Sequence, residues 1–241
     1  MNVLLIGAER GIGAAMAAAL SKNNEYIIIK TSRSYGELTQ DQNTHWQLRC
    51  DIADADSINQ MANALMQQFE KLDWIINCAG VLHNNDFMPE KSLKAVNSKQ
   101  LIDSYQTNAI GHLLLIQALE KLLTTKAPAV VASISARIGS IEDNKLGGWY
   151  AYRMSKAALN MGIKTLAIEW SRKNPQVKFM LLHPGTTDTD LSAPFQRNLP
   201  SGQLQTAKET ALMLLEQIDQ HKNHDEKHPI FIDYKGKKIA W

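Results

Sequence analysis

An apolar run, Val3-Leu4-Leu5-Ile6, breaks directly into Gly7-Ala8-Glu9-Arg10-Gly11-Ile12-Gly13, and an alanine-rich helical pattern follows over residues 12–20. Continuous apolar residues suit a strand buried on both faces, as in a parallel sheet. The three glycines have separate uses. Gly7 can take the tight turn, Gly11 lets the backbone approach a pyrophosphate, and Gly13 permits close packing of helix on strand. The helix that opens at Ile12 presents N–H groups to an anion. The spacing is G-x3-G-x-G and not G-x-G-x-x-G, so the strand–turn–helix context carries the reading of a dinucleotide-binding βαβ unit.

The same alternation of apolar runs and helical patterns continues along the 241 residues, without a linker, an internal repeat or a low-complexity segment. Strands are expected at residues 26–32, 46–50, 73–77, 129–135, 177–182 and 230–233. A helix is expected over 57–69, a long one over 98–123, another from Tyr152 to about Arg172, and a last one over 206–220. Residues 1–241 therefore read as one α/β domain. Apolar residues make up 44% and charged residues 21%, which argues against disorder. A formal net charge of +2 with no Lys/Arg run argues against nucleic-acid binding. No apolar run approaches the ~20 residues of a membrane span. The two cysteines, Cys50 and Cys78, lack metal-ligand spacing, and His221, His224 and His228 read as a solvated turn, so no metal is expected. The chain opens on a strand and not on a signal peptide, and the expected location is the cytoplasm.

The end of the second strand should meet the adenosine ribose of a bound dinucleotide. An acidic residue there suits the 2′-hydroxyl of NAD, and a basic one suits the 2′-phosphate of NADP. The chain places Ser32-Arg33-Ser34 there, and Arg10 stands in the glycine turn. Two guanidiniums converging on one phosphate favour NADP over NAD. Asp51 and Ile52 can hold the adenine edge and face, although Asp51 could instead cap the next helix, a role open to Asp54 as well. Asn77-Cys78-Ala79-Gly80 ends the fourth strand with small residues that let backbone pass close beneath the cofactor.

Tyr152 and Lys156 lie one turn apart on a common helical face. A lysine charge there stabilises a phenolate and draws the phenol pKa down, which suits proton transfer to or from a reacting alcohol oxygen. Asn108-Ala109-Ile110-Gly111 puts two mediocre helix formers mid-helix, so a local reason is expected, a packing contact at Gly111 being the plainer one. Tyr105 reads as packing and His83 as a solvated loop residue. The strand at 129–135 delivers serine hydroxyls to the ligand-binding edge of the sheet. Residues 191–205, with Pro194, Pro200 and Gly202, form a candidate substrate lid.

Together these residues resemble the short-chain dehydrogenase/reductase family over essentially the whole chain. The landmarks are Gly7-x3-Gly11-x-Gly13, Asp51-Ile52, Asn77-Cys78-Ala79-Gly80, Asn108, Ser133-Ile134-Ser135, Tyr152-x3-Lys156 and Pro184-Gly185. The stretches from Gly139 to Asn144, from Gly147 to Arg153 and from Gly236 to Trp241 resemble its C-factor-like branch. That branch includes carbonyl-reductase-type enzymes and proteins with signalling roles. The resemblance implies a Rossmann-type, doubly wound parallel sheet of seven strands flanked by helices. It implies hydride transfer between NADP(H) and a small-molecule carbonyl or alcohol, with Tyr152 as general acid or base. Lys156 would hold the nicotinamide ribose, Asn108 would position a water linked to Lys156, and a serine would stabilise the oxyanion.

Pro184, Gly185, Thr187 and Thr189 would complete the cofactor site. A homodimer or homotetramer through the helices around Asn108 and Tyr152 is also implied. Three departures stand out. Ile6 replaces a threonine, Thr186-Thr187 replaces bulkier residues, and Ser135 is followed by Ala136. Counting back from Gly139 aligns Ala136 with the catalytic serine, but Ala136 has no hydroxyl, so Ser135 is chosen and Ser140 kept as the alternative. The second function left open is a non-catalytic NADP-binding regulatory or intercellular signalling protein.

Overall fold

The computed structural model describes every residue except 42–44, 125, 198 and 227. In chain order the elements are β1 (Asn2–Ile6), α1 (Gly11–Leu20), β2 (Ile27–Ser32), β3 (Thr39–Gln40), β4 (His45–Arg49), α2 (Ala55–Gln68) and β5 (Trp74–Asn77). After them come α3 (Ser98–Tyr105), α4 (Gly111–Ala118), α5 (Glu120–Leu123), β6 (Ala129–Ile134), α6 (Tyr150–Lys173) and β7 (Val177–His183). The short strands β8 (Thr186–Thr187) and β9 (Leu204–Gln205), then α7 (Ala207–His221) and β10 (Ile230–Asp233), complete the chain.

The main sheet runs β10-β7-β6-β5-β1-β2-β4-β3. From β1 the order steps outward through β2 and β4 on one side and through β5, β6, β7 and β10 on the other. The reversal falls between β1 and β5, and an open α/β sheet binds its ligand in the crevice beyond the carboxyl ends of such a pair. Alternate strand residues face opposite layers, as a two-residue period requires. Leu4, Ile6, Ile75, Val131 and Leu181 pack with Leu65, Leu115, Ile163 and Trp170 from α2, α4 and α6. Val3, Leu5, Ile76, Val130 and Met180 pack with Met16, Leu20, Leu214 and Ile218 from α1 and α7. Both faces are covered, which is why these strands are apolar runs and not alternating ones.

Two expectations are corrected. The sheet has the seven parallel strands plus an eighth, β3, which pairs antiparallel to β4 through Thr39↔Gln47 and Gln40↔Trp46. Its two residues are exposed, so no apolar pattern announces it. The single helix expected over 98–123 is interrupted by a π turn at Gln106–Ile110 and ends in the separate short helix α5. Gly111 follows that turn, and a Cβ there would come within 2.1 Å of the Ile52 carbonyl oxygen, so the close approach admits only glycine. Among the described residues no helix is long and apolar enough to cross a membrane.

Candidate active site

The glycine turn fits a dinucleotide cradle because side chains are excluded from it. A Cβ on Gly13 would fall 2.4 Å from the Gly7 carbonyl oxygen, so α1 can lie directly on the turn. Gly7 has φ +73°, and a Cβ there would meet the Ala79 backbone at 3.1 Å. Gly11 has φ +56°, and the Thr189 methyl stands 3.3 Å from where its Cβ would be. Thr189 thus reaches the turn from the far side of the crevice. Among the described residues no side chain caps α1 and no acidic residue stands in its first turn, so its opening N–H donors remain available to an anion.

At the carboxyl end of β2 the structure adds a residue that the motif reading did not single out. Glu9 accepts hydrogen bonds from the hydroxyls of Ser32 and, at 2.7 Å, Ser34. These two bonds, with the charges of Arg10 and Arg33 behind them, hold its carboxyl below the usual glutamate range. Arg10 pairs with Asp190 at 2.8 Å, an exposed contact of the kind that contributes at most ~1 kcal/mol. Asp51 accepts from Ala53 N at 3.0 Å, and Asp54 caps α2 through Asp56 N, so Asp54 and not Asp51 is the helix cap. Ile52 is buried beside Asp51. Asn77 accepts from Ala79 N at 3.0 Å and so shapes the turn beneath Gly80.

The start of α6 is set by an unusual backbone. Gly147, Gly148 and Trp149 have φ of +65°, +66° and +51°, three left-handed residues in succession. The buried Glu90 holds this corner: its carbonyl accepts from Trp149 N at 2.6 Å, and both its carboxylate oxygens lie 3.2 Å from Ala151 N. A carboxylate at a helix N-terminus also meets the positive end of the helix dipole. The result fixes Tyr152 and Lys156 on the first turns of α6. Lys156 is buried and donates to the Ile134 carbonyl at 2.8 Å, with its ammonium 5.8 Å from the centre of the Tyr152 ring. A Cβ on Gly139 would fall 2.8 Å from the Lys156 Cβ, so the loop after β6 presses directly on this lysine.

Asn108 sits on the π turn, a distortion common at functional sites. Its amide donates to Val81 O at 2.8 Å and Ser155 Oγ at 3.0 Å, and its oxygen accepts from Val81 N at 2.8 Å. Ser155 in turn donates to the Tyr152 carbonyl at 2.9 Å. A Cβ on Gly80 would lie 3.2 Å from Asn108 Oδ1 and 3.6 Å from Lys156 Nζ, so Gly80 separates the two groups without filling the space.

Burial pushes the Tyr152 phenol up to about 12 and the Lys156 ammonium down to about 8. The shift runs opposite to the expected pull toward neutrality: burial alone sets its direction, and the Lys156 ammonium is directed at the Ile134 carbonyl. Behind the site, burial and then the Lys156 charge hold His112 neutral, its pKa pushed down to about 3.

Several expected residues make contacts within the protein. Ser135 donates its hydrogen to Asn160 Oδ1 at 2.6 Å, and Ser140 donates to the Trp241 carbonyl at 3.3 Å. A hydroxyl has one hydrogen, and in this arrangement each serine directs it at a protein acceptor. Thr187 is buried with its hydroxyl 2.9 Å from that of Thr210 on α7. Gly185 turns at φ +72°, and a Cβ there would clash with the Tyr234 ring at 2.7 Å. Pro184 accepts from Thr187 Oγ1 at 3.4 Å, closing the same turn.

Aromatic rings roof the site. Trp149 lies 6.4 Å from Tyr152 and 4.8 Å from Phe195, and His83 lies 5.8 Å from Phe195 on its other side. His83 Nε2 stands 3.2 Å from the Asp190 and Leu191 carbonyls, so it ties the loop after β5 to the segment after β8 and is not a free loop side chain. In the sequence Phe195 falls only within the candidate lid and Trp149 only within the stretch from Gly147 to Arg153. The two glycines before Trp149 were the available signal.

A profile of the short chain dehydrogenase family matches residues 1–200. The chain belongs to that family. Among curated members it is 29% identical over 194 residues to 1-hydroxy-2-glutathionyl-2-methyl-3-butene dehydrogenase of Rhodococcus sp. (strain AD45), covering 80% of this chain and 81% of the other. It is 33% identical over 150 residues to C-signal of Myxococcus xanthus, covering 62% of this chain and 84% of that one. NADPH-bound carbonyl reductase from chicken fatty liver shares the fold at a TM-score of 0.81 and 24% identity, covering 100% of this chain and 94% of that chain. A short-chain dehydrogenase is an oxidoreductase, and the crevice between β1 and β5 is where this chain gathers the landmarks of one.

Proposed function

We propose that this chain reduces a carbonyl compound, or oxidises the corresponding alcohol, with NADP(H), using Tyr152 as the proton donor or acceptor. The observation that carries the reading is Lys156 Nζ 5.8 Å from the Tyr152 ring centre, beside Asn108 and beneath the glycine-lined crevice. Gly7, Gly11, Ile12, Gly13, Ala79, Gly80 and Thr189 would hold the dinucleotide, with Asp51 and Ile52 toward the adenine. Arg10 and Arg33 favour a 2′-phosphate, and the NADPH bound to the chicken reductase agrees with that preference. The cofactor supplies the hydride.

The protein's own groups handle the proton and the geometry. A phenol near 12 is fully protonated at neutral pH, which suits it to donate to an alkoxide as the alkoxide forms. Lys156, cationic below about 8, then stabilises the phenolate that remains. Asn108 fixes the backbone of Val81 and, through Ser155, the first turn of α6. Trp149, Phe195 and His83 exclude water from the proton transfer and favour a substrate with an apolar or planar group. The experiment is titration of purified protein with NADPH and NADH, followed by a carbonyl panel with the wild type and Tyr152→Phe. Binding without turnover on any carbonyl counts against the reductase, and binding of neither coenzyme overturns the reading.

The similarity to C-signal favours one alternative, a protein whose biological effect is signalling. The same variant separates the two: a signalling protein keeps its effect in Tyr152→Phe, whereas a reductase does not.

A further inference from the structure

Ser32 is the last residue of β2, and the carboxylate of Glu9 is held there by the hydroxyls of Ser32 and Ser34. This is the place where a βαβ dinucleotide site meets the adenosine ribose. Other chains put an acidic residue there from the end of the second strand itself. Here the strand ends in Ser-Arg-Ser, and the glycine turn supplies the acid across the gap. The two serine hydroxyls also touch one another at 3.1 Å, and Ser34 N donates to Ser32 Oγ at 3.3 Å. The carboxylate is therefore oriented by a network of its own and is not a free surface side chain.

We infer that Glu9 reads the ribose 2′-position: it accepts a hydrogen bond from the 2′-hydroxyl of NAD(H) and opposes the 2′-phosphate of NADP(H). This rests on the dinucleotide reading above and refines its coenzyme preference. Two guanidiniums, Arg10 and Arg33, attract the phosphate. Two carboxylates offset them, since the Glu9 carboxylate feels the charges of both arginines and Asp190 already engages Arg10. With the formal charges balanced, the arginines no longer exclude NAD(H). The chain uses both coenzymes, with NADP(H) favoured only narrowly. Ser32 and Ser34 are positioning residues that aim Glu9.

The test isolates the adenosine end. Calorimetric binding of ADP and of its 2′-phosphorylated counterpart is measured on the full chain, beside NADH and NADPH, for wild type, Glu9→Gln and Ser34→Ala. The wild type should hold the two ligands of each pair within about tenfold of one another, the scale of one solvent-exposed charge contact. Glu9→Gln should tighten the 2′-phosphorylated ligands by roughly tenfold and loosen ADP and NADH by a few-fold. Ser34→Ala should move both in the same directions by less. A wild-type preference for the phosphorylated ligands beyond about a hundredfold overturns the inference. So does a Glu9→Gln change that moves both ligands of a pair alike. Thermal unfolding of each variant separates lost folding from lost discrimination. Binding of neither dinucleotide by the wild type overturns the underlying reading instead.

Discussion

Ser135 Oγ donates to Asn160 Oδ1 at 2.6 Å, and both side chains are buried. The only hydrogen of this serine is therefore committed to α6, one turn beyond Lys156. To polarise a substrate carbonyl, Ser135 would have to break that bond and leave a buried amide oxygen unpaired, at a cost of about 1–3 kcal/mol. Ser135→Ala should accordingly lower kcat/KM less than tenfold, whereas Tyr152→Phe should lower it by about 10²–10⁴-fold, the usual worth of a general acid. Steady-state kinetics on any reducible carbonyl decides this. Equal losses in the two variants would restore Ser135 to the chemistry.

A pH profile tests the tyrosine–lysine pair. Burial depresses Lys156 to about 8, so the ammonium is present below that value and lost above it. Tyr152, raised to about 12, stays protonated throughout an ordinary assay range. With Tyr152 as the proposed proton donor, the donor is constant, and what changes near pH 8 is the Lys156 charge that would stabilise the phenolate. Carbonyl reduction should hold a plateau below about 8 and decline above it. Lys156→Met should react slowly and without that inflection. An alkaline limb unchanged in Lys156→Met would assign it to another group.

Much of this arrangement was legible in the chain, for local reasons. Asn108 and Gly111 stood out as poor helix formers, and the structure gives both explanations at once: a π turn that aims the asparagine, and a contact with Ile52 that only glycine permits. Glu9 passed unnoticed because its meaning depends on two hydroxyls from another strand. The bond from Ser135 to Asn160 was not legible for a different reason. Ser133 on β6 and Ser135 just past its end bond to His112 and Asn160, and a strand's two-residue period does not say which layer such a face meets. The position of β3 was invisible because an exposed two-residue edge strand carries no pattern.

Asn108 should matter to stability as well as to turnover. It satisfies both Val81 N and Val81 O, so Asn108→Ala leaves a partly buried peptide unit without partners, a loss of about 1–3 kcal/mol. At this chain length each kcal/mol shifts Tm by about 2–4 °C, so a fall of several degrees is expected by scanning calorimetry. Turnover should fall with it, because Ser155 loses the donor that locks the first turn of α6. An unchanged Tm would mean that the Val81 segment is held by other contacts.

The outer face of α6 carries a stripe that the monomer does not cover. Met154, Met161 and Ile168 recur every seven residues and are 58%, 64% and 41% exposed. Ile102 and Tyr105 on the neighbouring α3, and Leu113 on α4, extend it. Leu113 lies close enough to α6 that a Cβ on Gly162 would come within 3.0 Å of it, so the three helices form one surface. A contiguous exposed apolar patch of this kind marks an interaction site. A second copy of the chain, presenting the same helices about a two-fold axis, would bury it with matching chemistry. Light scattering should therefore report two or more chains per particle. Met161→Lys should yield single chains whose circular dichroism matches the wild type. Wild-type particles of one chain at micromolar concentration would remove the dimer and leave the stripe to a different partner.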